Sequence, residues 1–258
     1  FPDLHLLDPE NPGTFQTLSL PPEPLREALL QVRYAVSRES YPGVFTGVQL
    51  EFRERGFRAV ASDRYRLALR EVETPVGLTA KVVLGAVAVD RLVQALKGVE
   101  APLHLGLAKG LVGVVLEVGF GLLRLGLRVV KGEYPDYERV IPREFVARFR
   151  AEAAPLKDAL KRLLVMADSQ NRRVDLLLEE GRLVLEAKGP YGEAKEELEV
   201  WREGVPISLA LDARYLLEAL GPLTGEVEVG FSGPISPALV QAAGGGGYRA
   251  VVVPLKVK

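Results

Sequence analysis

Residues 45–69 read FTGVQLEFRERGFRAVASDRYRLAL, and the fold is decided by how this stretch is read. Val48, Leu50 and Phe52 alternate with Gln49, Glu51 and Arg53, the period of a strand buried on one face. Glu54-Arg55-Gly56 then reverses the chain, with Gly56 free to take a positive φ. A second strand follows over 57–61. A third carries Tyr65, Leu67 and Leu69 on one face and Arg64, Arg66 and Arg70 on the other. The stretch is a β-meander with an arginine-bordered edge, and its pattern recurs along the chain.

Upstream, 15–20 alternates as a strand. Pro21, Pro22 and Pro24 crowd a helix start, where a missing N–H costs least. That helix extends to residue 37, with Leu25, Ala28, Leu29, Val32 and Val36 on one face and Arg26, Leu30, Arg33 and Ser37 opposite. Downstream come a strand at 81–85, a helix at 88–97 capped by Asp90 and stopped by Gly98, and strands at 103–107, 111–118 and 122–130. After the Pro-punctuated segment 132–142 the pattern restarts. It runs strand 145–152, helix 155–168, then strands 174–178, 183–187 and about 196–200. A last round runs strand 207–211, helix 212–220, and strands 227–231, 238–242 and 250–254. Pro24-Leu25-Arg26-Glu27-Ala28-Leu29 is echoed by Pro155-Leu156-Lys157-Asp158-Ala159-Leu160, and Gly56 by Gly181. The organisation is strand, helix, three strands, four times over.

One such unit cannot cover its own apolar faces, whereas two can, by packing helix beside helix and continuing their sheets. The expected fold class is therefore α+β: two domains, 14–143 and 144–258, each of two β-α-β-β-β units with helices on one side and sheets outside, after a loop-like segment 1–13. With 258 residues, 48% of them hydrophobic, the chain can bury two such cores. A net charge of −1 gives no bulk pull toward nucleic acid, so a basic function needs a local face. The absence of cysteine excludes disulfides and thiolate metal sites. Apolar runs are strand-length and interrupted, so no membrane span is expected. No signal peptide is visible and no initiator Met is present, which reads as a fragment or processed form of an intracellular protein.

A search for chemistry finds little. His5 lies in a loop and His104 on the polar face of a strand. No nucleophile–base arrangement and no carboxylate cluster with metal spacing can be built, so neither metal nor cofactor is expected, and no enzyme. Gly119-Phe120-Gly121 with Arg124, and Gly244–Gly247, read as hairpin turns rather than phosphate loops. The outward helix faces say more. Arg26 and Arg33 on the first helix recur as Lys157 and Lys161 on the third, and Arg91 and Arg214 decorate the other two. Solvated surface charge is one reading of them. A stripe offered to a polyanion, through phosphates and without sequence preference, is the other. The terminal VVVPLKVK is too apolar for a frayed tail and is expected to dock, in a groove between the domains.

Particular residues then point to a family. Ala59-Val60-Ala61-Ser62-Asp63-Arg64-Tyr65-Arg66-Leu67-Ala68 resembles the VATDGHRLA signature of the bacterial sliding clamp, the beta subunit of DNA polymerase III. Gly132-Glu133-Tyr134-Pro135-Asp136-Tyr137 with Arg139-Val140-Ile141-Pro142 resembles its GRFPDYRRVLP segment. Asp212-Ala213-Arg214-Tyr215-Leu216-Leu217 and Val251-Val252-Val253-Pro254-Leu255-Lys256 resemble later family motifs. The resemblance covers the second and third of the family's three domains, and Phe1-Pro2-Asp3-Leu4 looks like the linker after the first.

The resemblance implies a DNA-clamp fold and a non-catalytic, cytoplasmic, nucleoid-associated processivity factor. In a complete ring it surrounds double-stranded DNA without sequence preference, with Arg26, Arg33, Arg91, Lys157, Lys161 and Arg214 facing the duplex. Polymerase, clamp-loader and repair proteins would dock through short linear motifs in a pocket between the two domains. Phe45, Ser62, Arg64, Tyr65, Arg66, Leu67, Pro135, Val140, Tyr215, Val251, Val253, Pro254 and Leu255 are its expected lining. The family ring is a head-to-tail homodimer that also needs the first domain. The alternative is a two-domain partner-binding module that never encircles DNA. Arg64 stands where the family usually has Gly, so a positive φ there would be strained. Leu255 stands where Met is frequent.

Overall fold

The structure, a computed structural model, describes residues 16–38, 43–108, 111–118 and 121–256. The expected linker, His5 and the tip at Gly119-Phe120 lie outside the described residues. The fold divides into two compact units. One holds the residues up to 63 together with 69–135, the other 64–68 together with 136–258.

In the first unit the order is β1 (Gln16–Leu20), α1 (Pro22–Val32), β2 (Gly47–Arg53), β3 (Gly56–Ser62), β4 (Arg66–Glu73, of which 66–68 count with the second unit), β5 (Ala80–Gly85), α2 (Ala86–Ala95), β6 (Leu103–Ala108), β7 (Leu111–Val118) and β8 (Gly121–Arg128). The two meanders form as the period-two pattern requires. Their first strands, however, are exchanged. β1 pairs antiparallel with β6, giving the sheet β1-β6-β7-β8, while β5 pairs with β2. Each repeat thus lends its leading strand to the other, which ties the two into one fold.

The second unit repeats the exchange. It runs β9 (Ala147–Glu152), α3 (Ala153–Met166), β10 (Arg173–Glu179), β11 (Arg182–Gly189), β12 (Gly192–Glu199), β13 (Trp201–Gly204), β14 (Ile207–Asp212), α4 (Ala213–Leu220), β15 (Glu226–Phe231), β16 (Ala238–Ala242) and β17 (Tyr248–Val252). Here β14 pairs with β10 and β9 with β15. Strand β13 is an addition to the expected pattern and pairs along the outer edge of β9.

The helices bury the stripes their spacing announced. Leu25, Ala28, Leu29 and Val32 on α1 are buried, as are Leu156, Ala159, Leu160 and Leu163 on α3. Helix α1 packs on α2 and α3 on α4, so each unit has two adjacent helices over its sheets. Phe149 and Phe231, both fully buried, meet at 6.1 Å between ring centroids in the second core.

Four local expectations are corrected. Helix α1 ends at Val32 and continues only as a 3-10 turn, Arg33–Ala35. Asp90 is not a helix cap: α2 starts earlier, behind Gly85, and Asp90 instead pairs with Arg33 through two hydrogen bonds of 2.8 Å. Gly56 does not adopt a positive φ. It begins β3, where an added Cβ would lie 2.3 Å from the carbonyl oxygen of Val72, so close approach rather than turn geometry requires glycine there. Arg66 is not at an open edge but is buried, at 5% exposure.

Acid sensitivity follows from the second unit's charges. Arg162 on α3 grips Glu196 on β12 through bonds of 2.7 and 2.8 Å, which holds the Glu196 carboxyl below its usual range. Lys161 does the same to Asp158, and Lys195 to Glu197. A carboxyl depressed in the folded state contributes stability above its unfolded pKa and loses it as pH falls through the folded value. The melting temperature should therefore be flat above about pH 5 and fall below about pH 4. Arg162→Gln should flatten part of that fall. A fall of equal size in the variant would contradict the assignment.

Candidate functional site

The second unit gathers its chemistry around Tyr215, on the first turn of α4. Helix α4 starts there because Asp212, buried at the end of β14, accepts from the backbone N–H groups of Arg214 and Tyr215 at 2.9 and 3.3 Å. The Arg66 guanidinium lies 4.4 Å from the Tyr215 ring centroid and forms an ion pair with Glu218 one turn further along α4. Glu218 is shared with Arg214, 3.2 Å away. Arg172 lies 5.8 Å from the centroid of the same ring and binds the Asp212 carboxylate, with 2.6 Å from Nη2 to Oδ2. That hydrogen bond raises the Arg172 pKa beyond its ordinary value.

The chain's terminal segment closes the cluster. Beyond β17 the Val253 N–H donates to the Tyr65 carbonyl at 2.9 Å, and the Leu255 N–H to the Ala210 carbonyl at 2.8 Å. The tail is docked, as its apolar sequence required. Tyr65 and Val253, whose backbones are thus joined, leave 58% and 37% of their surface open. Val140 is also exposed, and Pro254 and Leu255 are half-buried, whereas Leu67 and Val251 are buried. Phe45, Ser62 and Pro135 belong to the first unit. There Phe45 packs edge-on against Tyr134 at 5.6 Å.

A separate cavity of about 830 Å³ lies in the second unit, lined by Asp136, Glu138, Arg139, Arg143, Phe145 and Ser232 among others. Tyr65, Tyr215 and Val253 are not part of it. Among the described residues no three His, Cys, Asp or Glu side chains stand together to hold one metal ion, and no helix is long and apolar enough to cross a membrane. His104 is exposed on β6.

Comparison with known proteins assigns both units. Residues 19–136 match DNA polymerase III beta subunit, central domain, and residues 138–256 match DNA polymerase III beta subunit, C-terminal domain. The chain belongs to the DNA polymerase III beta subunit family. The beta sliding clamp of Caulobacter vibrioides is 32% identical over 237 residues, covering 88% of this chain and 62% of that protein. That of Streptomyces coelicolor is 31% identical over 265 residues, covering 96% and 68%. The crystal structure of the Thermotoga maritima beta subunit superposes with a TM-score of 0.87 at 27% identity, covering 94% of this chain and 66% of that one. A Pseudomonas aeruginosa sliding clamp bound to griselimycin gives 0.87 at 25% identity over the same shares. The chain thus spans about 62% of the length of the Caulobacter relative.

Arg64 has a φ of 78°, in the left-handed region that residues with a side chain rarely adopt. Arg64→Gly should therefore stabilise the protein by about 0.5–1 kcal/mol, the left-handed penalty less the added unfolded-state freedom. A lowered melting temperature would show that the Arg64 side chain outweighs its backbone.

The six helix cations expected to face a polyanion are mostly occupied. In the first unit Arg26 pairs with Glu23 at 2.8 Å and Arg33 with Asp90, while Arg91 is exposed without an ion-pair partner among the described residues. In the second, Lys161 pairs with Asp158 at 2.8 Å and Arg214 with Glu218. Lys157 donates to the Gly221 and Leu223 carbonyls just past α4, and partial burial, then Lys161, lowers its pKa. Sequence reading did not single out Arg172, Asp212 or Glu218 as site residues. Asp212 had a legible signal, an aspartate directly before a helix. Arg172 had none, because its partner lies 40 residues away.

Proposed function

We propose that this chain is the partner-docking part of a replicative sliding clamp, a processivity factor that acts by enclosure and docking rather than by bond-making chemistry, in the cytoplasm. Polymerase, clamp-loader and repair proteins engage it through short linear motifs with apolar anchors. On the second unit the receiving surface is Tyr65, Arg66, Tyr215, Val253, Pro254 and Leu255. The observation that carries the reading is the pair of exposed apolar side chains, Tyr65 and Val253, joined by a backbone hydrogen bond next in sequence to the buried Arg66, which Glu218 matches. Open apolar surface over a rigid, charge-balanced support suits anchor side chains, since little is left to order on binding.

Griselimycin, bound in the Pseudomonas clamp structure, is the test ligand. Calorimetric titration should give saturable one-to-one binding with a Kd on the order of micromolar or tighter. Tyr215→Ala should weaken it about tenfold or more with the fold retained. A folded protein that gives no binding heat contradicts the proposal.

In a ring completed by the family's remaining domain, the helices of each unit face duplex DNA through Arg26, Arg33, Arg91, Lys157, Lys161 and Arg214. Exposed ion pairs such as Lys161–Asp158 are weak, so phosphates can replace the carboxylates at small cost. The second reading, a docking module that does not encircle DNA, is favoured by the same pairs, which leave little uncompensated charge on the helices. Anisotropy of a short fluorescent duplex separates the two. Sequence-independent binding that weakens with salt supports the first, and no binding at low salt the second.

A further inference from the structure

We propose that Arg172 is a positioning residue for the docking surface: it fixes the start of α4 and thereby presents the Tyr215 ring to the incoming ligand. The inference rests on the docking role proposed above, and three observations support it. First, Arg172 holds α4 from two sides at once. Its side chain binds Asp212, with Nε at 3.2 and 3.1 Å from the two carboxylate oxygens and Nη2 at 2.6 Å from one of them. Its own carbonyl accepts from the N–H of Ala213, the first residue of α4, at 2.9 Å. Tyr215 is two residues further on, and its N–H donates to that same Asp212.

Second, the backbone of Arg172 is strained. Among the described residues two non-glycine positions have a positive φ, Arg64 at 78° and Arg172 at 45°. Such a conformation is unfavourable for a residue with a side chain and persists only where the surroundings enforce it. Of the two, Arg172 lies by the Tyr215 ring itself, 5.8 Å from its centroid, with Arg66 at 4.4 Å from the same ring.

Third, the charges are matched within the cluster: Arg172 by Asp212, Arg66 by Glu218. Asp212 is 3% exposed, so it depends on its partners for satisfaction. A ring fixed before binding loses less freedom on capture, and the gain falls on the dissociation rate.

The test uses griselimycin binding by the whole chain and fluorotyrosine labelling. Arg172→Gly removes the side chain while keeping a residue suited to the backbone, so the Ala213 hydrogen bond survives. Asp212→Asn keeps a good helix cap but weakens the ionic grip. Each should weaken griselimycin about fivefold to tenfold, mainly through faster dissociation. The double variant should lose no more than either alone, because the two act as one unit. The fluorine resonance of Tyr215, assigned by its loss in Tyr215→Phe, should be sharp in the parent and broadened or shifted in Arg172→Gly. If the parent does not bind griselimycin, the docking role falls and this inference with it. If the parent binds and Tyr215→Ala loses binding, but Arg172→Gly keeps full affinity or an unchanged Tyr215 resonance, only the role of Arg172 is overturned. Additive losses in the double variant would equally overturn it.

Discussion

Arg66→Ala is expected to abolish measurable griselimycin capture and to lower the stability of the second unit by about 2–3 kcal/mol. The side chain is buried, paired with Glu218 and stacked at 4.4 Å on Tyr215. Its removal leaves Glu218 without its buried partner and uncovers the Tyr215 ring. The loss stays below that of a wholly orphaned buried charge, because Glu218 keeps Arg214 at 3.2 Å. Arg66→Lys should fall between the two, retaining the charge but not the planar stack on the ring. Calorimetry and urea unfolding measure the two effects separately. An Ala variant that binds as tightly as the parent would remove Arg66 from the site.

Gly56→Ala should damage the opening meander, costing about 2 kcal/mol or more. The new Cβ would lie 2.3 Å from the Val72 carbonyl oxygen, a backbone atom that cannot swing aside without moving β4. Gly181→Ala is the informative control. It occupies the corresponding turn of the second unit, with φ at 68° and open space around the site. Its cost should be only the left-handed penalty, about 1 kcal/mol. Thermal or urea unfolding of the two variants decides whether contact or conformation governs each turn. Equal losses would mean that the sheets can give way at Gly56.

The contrast at these glycines shows where sequence reading reaches its limit. Periodicity is a local property, and it was enough to lay out the meanders, the four helices and their buried stripes, because Val48, Leu50 and Phe52 or Leu156, Ala159 and Leu160 meet their core whatever else pairs with them. The exchange of β1 and β5, and of β9 and β14, was not legible. Each leading strand satisfies its alternation equally well beside either meander, and the choice rests on partners dozens of residues away. Asp90 looked like a cap because caps are local, yet its partner is Arg33, 57 residues distant. Arg66 alternated as a surface residue, and only α4 folding over it supplies Glu218 and Tyr215. The tail was legible as something that docks, from its apolar content. That Val253 would join Tyr65, and Leu255 join Ala210, was not. The site residues carried by the family resemblance came from motif matching. The supports Arg172 and Glu218 lie outside any such reading, because their roles exist only in the assembled unit, and Asp212 was legible only as an aspartate before a helix.

The central claim is that ligands dock on the surface formed by Tyr65, Tyr215 and Val253, and amide chemical-shift mapping tests it most directly. With griselimycin added to isotope-labelled protein, the largest shifts should fall on residues 65–67, on Tyr215, and on Val253 and Leu255. Binding that leaves these amides unmoved and shifts others instead, such as those lining the cavity around Arg139 and Phe145, would contradict the account.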